Sequence, residues 1–121
     1  MIDDACLDQK LKNLGLNHIR YHIFLCCDQT SPKCCKKSNG LESWNFLKKR
    51  LAELQLTGAS GVYRSKVNCL RICAKGPVAV VYPEGVWYHS CTPEVLEQII
   101  QQHFIHGQPV QEYLLFNQPA A

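Results

Sequence analysis

Apolar residues recur along this chain with two periods, and the changes from one to the other mark its elements. Leu7, Leu11 and Leu14 lie three or four residues apart, with Asp3 or Asp4 available as a cap and Gly15 as a stop, which predicts a short helix in the first sixteen residues. Ile19 to Leu25 is dense in Ile, Tyr and Phe and reads as a strand. A polar loop over 28–39 follows it. From Gly40 onward Leu41, Trp44, Leu47, Leu51 and Leu54 form one apolar stripe, the mark of a helix laid against a core.

Gly58 and Gly61 break that period, and Val62 to Val67 alternates as a strand does. The run Val78-Ala79-Val80-Val81-Tyr82 is continuously apolar, as expected of a central strand covered on both faces. Pro83-Glu84-Gly85 supplies a turn, and Val86 to His89 returns to complete a hairpin. Thr92 is a candidate N-cap with Pro93 at the first helical position and Glu94 in the first turn, ahead of a stripe of Val95, Leu96, Ile99, Ile100 and Phe104 that stops at Gly107. The order strand, helix, strand, strand, strand, helix predicts an α/β fold with a mixed sheet, the first helix being a crossover and the last two strands an antiparallel pair.

The longest apolar run is only strand-length, far short of the roughly 18 residues of a membrane span. At 121 residues the chain fits one domain with an adequate core. A net charge of +3 with scattered basic residues does not indicate nucleic-acid binding, and Lys48-Lys49-Arg50 reads as the solvated face of a helix. The acidic start, Met1-Ile2-Asp3-Asp4, has no basic stretch leading into an apolar run, so a cytoplasmic protein with reduced thiols is expected.

That expectation changes the meaning of the eight cysteines. Six of them fall in two loops: the pairs Cys26-Cys27 and Cys34-Cys35, then Cys69 and Cys73. An iron-sulfur centre needs about four converging thiolates, and two loops giving two each would meet that need. One helical turn between Cys69 and Cys73 would set both sulfurs on one side. In each adjacent pair, side chains on an extended chain point to opposite sides, so one member can face a cluster and either could be that member. Cys6 and Cys91 read as ordinary small residues, and Cys27 and Cys34 as packing or neighbouring thiols. The five histidines have no mutual spacing that builds a metal site, and Trp44 and Trp87 read as core residues.

Over roughly residues 20–116 the chain resembles the thioredoxin-like [2Fe-2S] ferredoxins, which are similar in turn to the small iron-sulfur subunit of respiratory complex I. The resemblance lies in His22-Ile23-Phe24-Leu25-Cys26, in the stretch from Asn68 to Pro77, in Val80-Val81-Tyr82-Pro83-Glu84-Gly85-Val86-Trp87-Tyr88, and in Gly107-Gln108-Pro109-Val110. It implies a thioredoxin-like fold, a central mixed sheet flanked by helices, over 18–116, with 1–17 as an extension and 117–121 as a tail. It also implies Cys26, Cys35, Cys69 and Cys73 as the ligands of one [2Fe-2S] cluster, Cys35 taking the second place by its distance to Glu42 and Trp44. Lys36-Lys37-Ser38-Asn39-Gly40 departs from the Gly-Ser that often follows the second ligand.

Thioredoxin's dithiol chemistry is not implied, because it needs two cysteines separated by two residues and the chain has none. The expected role is therefore one-electron transfer at low potential, without a substrate site and so without enzymatic activity. Lys36, Lys37, Arg71 and Lys75 flank the cysteines, which predicts redox partners with an acidic docking face. The resemblance implies a homodimer, and Val110, Tyr113, Leu114 and Leu115 would either cover the domain's own sheet or reach a second subunit. The rival readings are a cluster-based redox sensor or adaptor, and a structural zinc protein with four cysteine ligands.

Overall fold

Alternation along the first strand, β1 (Tyr21–Cys26), sets the two faces of the molecule. Ile23 and Leu25 are wholly buried, while His22 and Phe24, which alternate with them, are half-buried on the opposite side, as the two-residue period of a strand requires. The computed structural model describes residues 5–14, 19–26, 37–57, 61–68 and 76–117. The other elements are α1 (Ala5–Leu14), α2 (Lys37–Glu53), β2 (Val62–Val67), β3 (Ala79–Tyr82), β4 (Val86–Tyr88), α3 (Pro93–Gln98) and β5 (Leu114–Asn117).

The five strands form one mixed sheet in the order β2-β1-β3-β4-β5. β1 runs parallel to β2, with the α2 crossover between them, and antiparallel to β3. The remaining neighbours are antiparallel. Leu47 and Leu51 of α2 and Val95, Leu96, Ile99, Ile100 and Phe104 of the last helix cluster with Ile23, Leu25, Ala79, Val81 and Tyr88 on one sheet face. The α/β architecture is thus the expected one. Arg50 of α2 joins the two helices by bonding Glu97 at 2.7 Å.

The other face is aromatic. His22 stacks on Phe24 at 4.0 Å between ring centres and meets Tyr63 edge-on, and Phe24 meets Tyr82. Trp87, paired with Val80, stacks on Phe116 at 5.4 Å on this face, so its packing is with the aromatic cluster and not with the helix-side core. Val80 stays 3% exposed among these rings, which accounts for the apolar run of β3.

Three elements differ from expectation. α2 begins at Lys37, within the expected loop, because its polar first turn carries no apolar period. Thr92 Oγ1 accepts the Val95 N–H as expected of a cap, but beyond Gln98 the helix widens into a π-helix over Ile99–Ile105. Gly107, at φ +74°, ends it, its N–H reaching His103 O and that of Gln108 reaching Gln102 O. The tail forms β5, a fifth strand on the far edge, so Tyr113 and Leu114 cover the chain's own sheet. Among the described residues no helix is long and apolar enough to cross a membrane.

Candidate metal centre

β1 delivers Cys26 to the end of the sheet. Because β1 and β2 are parallel and Cys26 pairs with Val67, the two cysteine-bearing loops leave the sheet at the same edge. This edge lies at the carboxyl ends of both strands, where β1 has a parallel neighbour on one side and an antiparallel one on the other.

Cys26 is 1% exposed. Its N–H donates to Val78 O at 2.9 Å, and the Val78 N–H donates back to Cys26 Sγ at 3.1 Å. The sulfur accepts this amide, a contact that would favour the thiolate form a metal ligand takes. A buried thiolate is costly unless its charge is met, and a bound iron ion meets it. A soft donor held rigidly at a sheet end, with an amide on its sulfur, fits an iron-sulfur centre. Cys27, Cys34, Cys35, Cys69 and Cys73, and with them the expected helical turn at Cys69–Cys73, lie outside the described residues. Among the described residues no three His, Cys, Asp or Glu side chains converge as a metal site.

Cys91 has a place that its sequence context did not reveal. It is wholly buried, its N–H donates to Pro77 O at 2.8 Å, and its thiol lies near enough to Cys26 to feel that sulfur's charge. Burial pushes the Cys91 thiol far above its ordinary range and Cys26 pushes it the same way, against a bond from the Ala79 backbone. Cys91 therefore stays a neutral thiol packed behind the candidate ligand. The Val78 amide was also missed, since a backbone donor leaves no mark on the sequence. Cys6, on α1, is exposed.

A pocket of about 240 Å3 opens at the same end, lined by Asn39, Glu42 and Ser43 of α2, by Gly76 and Pro77, and by the start of α3. Its two carboxylates, Glu42 and Glu94, stand beside the return of the second cysteine loop, so the described part of this rim is acidic. Of the basic residues expected there, Lys36, Arg71 and Lys75 lie outside the described residues.

No model of a known protein family matches the chain. It is 34% identical over 95 residues to a 2Fe-2S ferredoxin of Clostridium pasteurianum, an alignment covering 75% of this chain and 91% of that one. A 2Fe-2S ferredoxin of Aquifex aeolicus is 29% identical over 99 residues, covering 78% and 87% respectively. The fold superposes on the structure of a thioredoxin-like [2Fe-2S] ferredoxin from Aquifex aeolicus with a TM-score of 0.71 at 27% identity, covering 84% of this chain and 96% of that one. Structures of two cysteine-to-serine variants of the Aquifex protein, at cysteines four residues apart, match as well. On these relatives and this sheet, the chain belongs to the thioredoxin-like [2Fe-2S] ferredoxins.

Proposed function

We propose that the chain is a one-electron carrier, not an enzyme, and that Cys26, Cys35, Cys69 and Cys73 hold one [2Fe-2S] cluster. The observation that carries this reading is Cys26, a buried sulfur at the sheet end that accepts the Val78 N–H, with both cysteine loops leaving beside it. Cys69 and Cys73 share the four-residue spacing of the two cysteines replaced in the Aquifex variants. When bound, the cluster supplies a metal centre that takes up and releases one electron by a change of iron valence.

The chain's own residues set where and at what potential this happens. Cys26 is fixed by β1, and the Val78 amide withdraws charge from its sulfur, which raises the potential relative to the same site without that bond. Four thiolates pull the other way, so a low potential near that of plant-type ferredoxins, roughly −400 mV, is expected. Burial of Cys26 and Cys91 keeps water from the inner side of the site.

Lys36, Lys37, Arg71 and Lys75 would steer an acidic redox partner, against the opposing charge of Glu42 and Glu94 at the same edge. A cytoplasmic homodimer completes the reading. Cysteine-to-serine variants at the six loop positions, followed by visible absorption and iron content, test it. Red-brown colour that bleaches on reduction and is lost or shifted at Cys26, Cys35, Cys69 and Cys73 alone is the expected result. Loss at Cys34 in place of Cys35 moves one ligand, and colourless protein with stoichiometric zinc overturns the reading.

A further inference from the structure

A buried hydrogen-bond chain on the helix side of the sheet has no part in the metal centre. His103, in the π-helical stretch, is wholly buried. Its Nε2 lies 2.6 Å from Glu84 Oε1 in the β3–β4 turn, and its Nδ1 lies 2.8 Å from the Tyr88 hydroxyl of β4. Tyr88 in turn accepts the backbone N–H of Val110 at 3.0 Å.

The donors and acceptors fix a direction. Beside an ionised Glu84, which can only accept, a neutral ring carries its hydrogen on Nε2 and leaves Nδ1 as an acceptor. The Tyr88 O–H donates to that Nδ1, and its oxygen is thereby free to take the Val110 N–H. A neutral imidazole thus satisfies every member, from the backbone N–H of Val110 to the half-exposed Glu84 carboxylate. Burial holds the Tyr88 hydroxyl up at about 12, so it stays a donor throughout the range in which histidine titrates.

We infer that His103 is a proton-operated latch, closed when neutral, that holds the C-terminal segment from Val110 into β5 against β4. Protonation places an N–H at both ring nitrogens. The new Nδ1–H competes with the Val110 N–H for the Tyr88 oxygen, and the Tyr88 proton loses its acceptor inside the core. Glu84, by contrast, gains an ion pair. One proton therefore tightens the hairpin turn and loosens the segment that carries Leu115 and Phe116, the large apolar residues exposed on β5. A widened helix suits such a device, since π-helical stretches favour functional positions.

The other groups around the ring are Tyr21 of β1, edge-on at 5.1 Å, and Arg20. The Arg20 guanidinium lies 5.5 Å from the Tyr21 ring centre and bonds Phe104 O. His106, on the same helix, is exposed. Neither bonds an imidazole nitrogen, but the Arg20 guanidinium acts through space on the charged ring with a sign opposite to that of Glu84.

The test is NMR on the cluster-loaded protein labelled with 15N, following the His103 ring and the exchange protection of backbone amides from pH 8 to pH 5. Val110 should lose about tenfold in protection, the scale of one neutral hydrogen bond, as His103 protonates, while Val86 keeps its own. In Glu84→Gln the amide oxygen still accepts from Nε2 but the negative charge is gone, so the transition should move to lower pH. In Tyr88→Phe, Val110 should be poorly protected at every pH. A His103 that does not titrate, a joint fall at Val110 and Val86, or an unmoved transition in Glu84→Gln overturns the latch.

Discussion

At the residue scale, two buried cysteines side by side have opposite roles. Cys26 accepts an amide hydrogen bond at the mouth of two loops, whereas Cys91 is held neutral behind it. Cys91→Ala should leave the visible spectrum unchanged and cost roughly 1 kcal/mol in unfolding free energy, the scale of a small buried truncation. A changed spectrum would make Cys91 part of the metal centre. His22 allows a second check. Burial holds it below its ordinary value, so the unfolded chain takes up its proton first as pH falls through about 6.5, and stability should decline from there down to the folded value. His22→Gln should remove that part of the pH slope in chemical unfolding. Cysteine spacing made the candidate ligands legible in the sequence, because thiolates in two loops are rare without a metal. The Val78 amide and the depth of Cys91 were not legible, because both arise from strand pairing across the chain.

At the element scale, the helices owe their place to two kinds of contact. Leu51 and Leu96 are wholly buried between helix and sheet, and truncating either to Ala should cost about 2–5 kcal/mol, read by the loss of far-ultraviolet dichroism in urea. The pair Arg50–Glu97 joins α2 to α3 at the surface, and its hydrogen bond to Arg50 is the main cause of a lowered Glu97 carboxyl. Its contribution is complete above the ordinary value of 4.5 and is lost as pH falls through the depressed folded value. Glu97→Gln should therefore flatten the acid limb of stability below about pH 4.5 and leave its shape unchanged above neutrality. Apolar periods identified α2, the hairpin and the final helix, since burial writes those periods. They missed the first turn of α2, where Lys37, Ser38 and Asn39 are polar, and the π-helical stretch, whose stripe of Ile99, Ile100 and Phe104 fits an ordinary helix as well. β5 escaped because an edge strand of four residues, with Leu115 and Phe116 exposed side by side, shows no clean alternation.

At the scale of the whole molecule, the sheet divides the work between its faces and its edges. Both large helices cover one face, the strands that lead into the cysteine loops end together at one end, and the rings of the other face are half-buried among the described residues. Leu115 and Phe116, neighbours on β5, are 39% and 46% exposed, and Ile105 at the end of the last helix is 41% exposed. Tyr113 and Leu114 already pack on the chain's own core, so in the proposed homodimer the β5 residues offered to a second copy are Leu115 and the outer side of Phe116, whose ring stacks on Trp87. Burying a side chain of this size is worth roughly 1.5–3 kcal/mol, so the double variant Leu115→Ser, Phe116→Ser should weaken a homodimer at least tenfold. Sedimentation velocity over a dilution series reads this directly. The variant should run as monomer at concentrations where the parent chain is dimeric, with an unchanged visible spectrum in both. A parent that is monomeric throughout, or a variant whose dimer persists, removes β5 as the contact between subunits.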